Sequence, residues 1–159
     1  MRAIDVHVHC PIEEGGPGPK MEEVAAEYAD LDIFGNILAR DARTIVGRVE
    51  TSNDYVAAIV KKYPDRFYGT ASVDPWMGKL AIYECERAVK ELGLKGFKFE
   101  PYRQEFYLNE PRFRPLWAKI EELGVPIMVH TGMAQFQGGH RMKYLQPFPY
   151  FDDLAADFP

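Results

Sequence analysis

Three histidines carry the chemistry that this sequence can do. His7 and His9 stand two residues apart in the opening strand, where Asp5, His7 and His9 alternate with Ile4, Val6 and Val8. On an extended chain this alternation puts the three polar side chains on one face and the aliphatic ones on the other. Same-face neighbours lie about 6.6 Å apart along a strand, so both imidazoles reach one ion, whereas on a helix an i, i+2 pair points apart. His130 ends the apolar run Pro126-Ile127-Met128-Val129 and precedes Thr131-Gly132, which marks the carboxyl end of another strand. Three neutral imidazoles suit Zn²⁺, with Mn²⁺ or Fe²⁺ as alternatives, because imidazole does not select strongly among them. The expectation is one divalent ion held by His7, His9 and His130. The competing reading makes His7 and His9 ordinary histidines and His130 a strand-end residue satisfied by a backbone carbonyl. Against it, unpaired polar groups inside a strand buried on both faces cost several kcal/mol.

The elements that must position these residues read as alternating strands and helices around a parallel sheet. Strands are expected at 3–8, 33–39, 67–73, 96–100 and 126–130. Met21, Val24, Ala25 and Tyr28 stripe a first helix, and Val56, Ile59, Val60 and Tyr63 stripe a second that starts at Ser52-Asn53-Asp54 and stops at Pro64. Ile82, Cys85, Val89 and Leu92 stripe a third that ends at Gly93. Pro115 opens a fourth, whose Leu116, Ile120 and Leu123 lead to Gly124, and a fifth begins near Phe151. The Gly15-Gly16-Pro17-Gly18-Pro19 stretch reads as a loop after the first strand. The fold class is α/β of the (β/α)8 TIM-barrel type. A whole barrel takes about 250 residues, and 159 residues supply about strands 1 to 5.

Loops that follow barrel strands line the active face. Arg40, Trp76 and Glu100 are therefore candidates for substrate binding, with Arg40 able to grip a carboxylate through both guanidinium nitrogens or to sit in a loop ion pair. Asp41 and Asp74 share those positions. Lys98 is on the same strand face as Glu100, where an internal ion pair is the favoured reading. Phe97, Phe99 and Phe106-Tyr107 read as core or pocket wall, and His140 as an exposed loop residue.

A net charge of −5 with no basic run longer than Lys61-Lys62 leaves no electrostatic footprint for nucleic acid, so no polyanion partner is expected. No apolar stretch nears the roughly 18 residues of a membrane span. Cys10 and Cys85 are too few for a disulfide framework, which fits a reducing, cytoplasmic setting.

The segments DVHVH, SNDYVAAIVKKYPDRFYGTASVDPW, ERAVKELGLKGFKFEP and ELGVPIMVHTG resemble the amidohydrolase-related family, in the branch of the γ-resorcylate and aminocarboxymuconate semialdehyde decarboxylases. The resemblance implies His7 and His9 as first-strand metal ligands, His130 as the fifth-strand ligand, and Asp5 as the group that orients a ligand. It also implies a sixth-strand histidine as general acid/base and an eighth-strand aspartate on the metal. Both would fall beyond Pro159, so no catalytic acid/base is assigned and residues 1–159 read as a single, C-terminally truncated barrel domain. The branch is mononuclear, so the carboxylated bridging lysine of two-metal relatives is not the favoured role for Lys98. The expected activity is metal-dependent hydrolysis of a small carboxylated molecule. Non-oxidative decarboxylation is the second reading, and an inactive fragment that binds metal or a partner is the third. Open sheet edges would favour a homo-oligomer or self-association.

Overall fold

The computed structural model describes residues 3–11, 16–132, 141–145 and 148–159; Gly15 and His140 lie outside them. In chain order the elements are β1 (Ala3–Val8), α1 (Met21–Asp30), β2 (Ile33–Leu38), β3 (Arg40–Asp41), α2 (Arg43–Val46), β4 (Val49–Thr51), α3 (Asn53–Lys62), β5 (Phe67–Thr70), α4 (Lys79–Lys90), β6 (Phe97–Phe99), α5 (Pro101–Gln104), α6 (Arg114–Glu122), β7 (Ile127–Val129) and α7 (Phe148–Asp157). β1, β2 and β5 pair in parallel, as do β6 and β7. A parallel bridge from Ala71 to Phe97 joins the two groups. The five expected strands therefore stand side by side in chain order, which is the wall of a β/α barrel. β3 and β4 form a small antiparallel pair inserted before α3.

Each helix packs where its apolar stripe demands. Ser52 caps α3 by accepting from the Tyr55 N–H at 3.1 Å, and Val56 and Ile59 of that helix are buried. Cys85 and Ala88 seat α4, and Leu116, Trp117 and Ile120 seat α6. Glycine lets two helices approach closely. A Cβ on Gly35 would come within 2.9 Å of both the Phe67 and Tyr28 rings, and one on Gly69 within 2.7 Å of Val56 and Leu94. Phe97 and Phe99 are fully buried on the helix side of β6, where Phe99 meets Phe106 and Trp117 edge to face. Lys98, between them, faces the opposite, inner side of the sheet.

The alternation expected for β1 does not hold. Its pairing with β2 is regular from Ala3 to Asp5 and then slips, so that Val8 faces Ile37 after three residues on β1 and two on β2. This bulge returns Asp5 and Val8 to the same face. Asp5 accepts from Tyr28 of the outer helix α1 at 2.7 Å, and Val8 is buried in the core. The inner face carries His7 and His9, together with Ile4 and Val6, which are 62% and 54% exposed. Asp5 thus sits behind the histidines instead of beside them.

The other strands come out shorter than expected, since pairing ends before the residues that turn toward the strand-end loops. The 3–10 turns at Pro75–Met77 and Pro111–Phe113, and the four-residue helices α2 and α5, were not expected. Elements of two to four residues are too short to show a period.

Candidate metal centre

β1 delivers the first two imidazoles. His7 Nε2 and His9 Nε2 lie 3.0 Å apart, with the rings edge to face at a 4.8 Å centroid separation. The Asp5 carboxylate holds the bulge by accepting the His7 backbone N–H at 2.9 Å while its other oxygen takes the Tyr28 hydroxyl. Its hydrogen bond to His7 is made through the main chain. These two donors hold Asp5 below its ordinary 3.8, the His7 N–H contributing most, and burial leads the causes that push Tyr28 up to about 12.

β7 delivers His130. Its backbone N–H donates to Phe99 O at 2.9 Å, continuing the β6–β7 ladder, and its ring packs on Tyr102 at 4.7 Å. Among the described residues its Nε2 is one of two sealed side-chain polar atoms without a hydrogen-bond partner. The strand-end reading, a histidine satisfied by a backbone carbonyl, leaves that nitrogen unexplained, and a cation ligand would satisfy it.

All three imidazoles are held toward the neutral form that binds metal. Burial is the largest cause for each, although His7 and His9 keep solvent on one side. After burial, Arg40 contributes most at His9, which is pushed down to about 4, and Lys98 most at His7 and His130. His130 also feels the charge of His7. The structure brings His7 and His9 together. It does not close His130 onto them, and among the described residues no three His, Cys, Asp or Glu side chains form a gathered metal cluster.

Around the histidines lies a charged network. Arg40 pairs with Glu100 at 3.3 Å and with Glu50 at 3.7 Å. Arg103 pairs with Glu50 and, at 3.6 Å, with Glu100. Gln104, buried, donates to Asp41 O at 2.8 Å and Val73 O at 2.9 Å and accepts from the Glu100 N–H at 2.9 Å, tying three strand ends together. Glu100 therefore answers the two arginines, and the expected Lys98–Glu100 ion pair is not made. Arg40 takes the ion-paired role. Trp76 donates its indole N–H to Gln104 O at 2.6 Å and packs on Phe113. Asp41 is bound by Arg43 at 2.6 Å, and Asp74 accepts from Thr44 N and Trp76 N. Glu50, Arg103 and Gln104 were missed because their roles depend on contacts 53 to 63 residues apart in sequence.

A cleft of about 340 Å³ lies elsewhere, between α1 and α3, with Lys20, Met21, Tyr55 and Tyr63 in its lining. The histidines occupy the open inner face of the sheet and do not line this cleft. Cys10 and Cys85 are free thiols. No helix of the described residues is long and apolar enough to cross a membrane.

Known proteins fit this arrangement. The amidohydrolase family model matches residues 4–159. The chain is 31% identical over 96 residues to gamma-resorcylate decarboxylase of Rhizobium sp. (strain MTP-10005), covering 57% of this chain and 29% of that protein. It is 31% identical over 119 residues to 2-amino-3-carboxymuconate-6-semialdehyde decarboxylase of Dictyostelium discoideum, covering 72% of this chain and 33% of that protein. The matched stretch thus spans about a third of these relatives. An uncharacterised TIM-barrel protein from Bordetella bronchiseptica superposes with a TM-score of 0.75 at 23% identity, over 100% of this chain and 64% of its own. The 5-carboxyvanillate decarboxylase of Novosphingobium aromaticivorans, solved with manganese and a nitrobenzoic acid, superposes with a TM-score of 0.59 at 27% identity, over 70% of this chain and 35% of its own. Three of these four are decarboxylases, which supports the second expected activity better than hydrolysis. Members of the family are metal-dependent decarboxylases and hydrolases, and the chain belongs to the amidohydrolase family.

Proposed function

We propose that the chain carries the metal-holding part of a non-oxidative decarboxylase site for a small aromatic carboxylate. His7, His9 and His130 would hold one divalent ion. The observation that carries this reading is the 3.0 Å approach of the His7 and His9 nitrogens. That separation puts both ring nitrogens within reach of a single ion. The sealed, unpartnered Nε2 of His130 supports a third ligand position. Mn²⁺ takes precedence over Zn²⁺ here, because a related decarboxylase carries manganese.

An ion held by His7, His9 and His130 would supply a fixed positive charge for the anionic groups of a substrate. The chain's own residues prepare for it. The hydrogen now shared between His7 and His9 sits on one Nε2, and both rings become ligands once each carries its hydrogen on Nδ1 instead. Asp5 and Tyr28 fix the bulge that turns both rings inward. Arg40 and Arg103 neutralise Glu50 and Glu100, so these carboxylates do not repel an incoming anion. The free thiols of Cys10 and Cys85 fit a reducing compartment, and the exposed Ile4 and Val6 beside the β1 edge fit self-association.

The test offers Mn²⁺-loaded protein hydroxybenzoates, esters and lactones in parallel. CO₂ release from a hydroxybenzoate without ester or lactone hydrolysis is the expected outcome. Hydrolysis without CO₂ release would restore the hydrolase reading.

A further inference from the structure

We infer that Lys98 is the anchor for a ligand carboxylate on the inner face of the sheet, beside the three histidines. The inference rests on the proposed site and adds a binding residue to it.

Lys98 is 2% exposed and stands on the inner face of β6 between the outward Phe97 and Phe99. Three cations cluster there, Arg40, Lys98 and Arg103, against two carboxylates, Glu50 and Glu100. Both carboxylates are taken by the arginines. The lysine ammonium is left over, with no hydrogen bond or ion pair among the described residues. Among the described residues the cluster therefore holds one more cation than carboxylates, and Lys98 feels the Glu100 charge without pairing with it.

That ammonium is also reachable. The sealed polar atoms without a partner are Arg103 Nε and His130 Nε2. Lys98 Nζ makes no hydrogen bond either and is not among them, so its tip keeps contact with the open inner face. Its charge acts on His7, His9 and His130. A carboxylate there would meet the ammonium directly and complete the charge balance of the cluster. Burial holds Lys98 below its ordinary 10.5, with the Glu100 charge next, opposing it, and the Arg40 charge adding to it.

The test is calorimetric binding of 2,6-dihydroxybenzoate, and of resorcinol, which lacks the carboxylate, to the full chain with and without Mn²⁺. The proteins are wild type, Lys98→Met and Lys98→Gln, with folding checked by thermal melts and metal uptake measured separately. The expected result is a roughly tenfold or greater loss of dihydroxybenzoate affinity in both variants, the scale of one charge-assisted hydrogen bond. Resorcinol affinity and metal uptake should be unchanged. Wild-type affinity for dihydroxybenzoate in either folded variant would overturn the inference. So would loss of metal uptake, which would put Lys98 on the ion, or failure of the wild type to bind the carboxylate at all. Lys98-dependent binding without CO₂ release would leave the anchor standing and sink the decarboxylase reading alone.

Discussion

At the scale of the residue, the imidazoles gain their role from being neutral. Each histidine has a folded pKa below its ordinary 6.5, so the unfolded chain binds protons that the folded chain refuses. Stability contributed this way is complete above 6.5 and is lost as pH falls, for His9 over the window from 6.5 to about 4. Asp5, held below its ordinary 3.8, adds a second loss that begins only under that value. Thermal melts of the metal-free chain against pH should therefore show two descending limbs. His9→Gln should flatten the upper limb and spare the lower; an unchanged upper limb would show that His9 is not held neutral. The positions of His7 and His9 on the first strand and of His130 at a strand end were legible in the sequence, because each lies in or closes an apolar run. Lys98 was not, since its isolation follows from Arg40 and Arg103 claiming Glu100.

At the scale of the element, the strands and long helices were legible because each shows a period over several residues. The β1 bulge was not. It depends on Tyr28 reaching Asp5 and on the slip against β2, and neither leaves a mark in the local alternation. Gly35 makes that contact possible, because the Tyr28 ring occupies the space where a Cβ would stand. Gly35→Ala should overpack this junction and cost about 1–3 kcal/mol. It should also weaken metal binding, by displacing Tyr28 from Asp5. Chemical denaturation with a parallel metal titration checks both. A destabilised variant with unchanged metal affinity would separate the bulge from the site.

At the scale of the whole molecule, the five parallel strands in chain order form part of a barrel wall, with the histidines at both edges of it. β1 pairs only with β2 and β7 only with β6 among the described strands. A closed barrel would bring those edges into one ring and His130 toward His7 and His9. The sequence showed the barrel class through its alternating strands and helices, but not the distance between its edges, which depends on every intervening strand. The most direct measurement is a Mn²⁺ titration of chelator-stripped protein, comparing wild type with His7→Ala, His9→Ala and His130→Ala. One ion per chain is expected, with each variant weakened roughly a hundredfold or more, beyond the typical cost of losing an orienting partner. Wild-type affinity in the folded His130→Ala protein would contradict a centre shared between the first strand and the fifth.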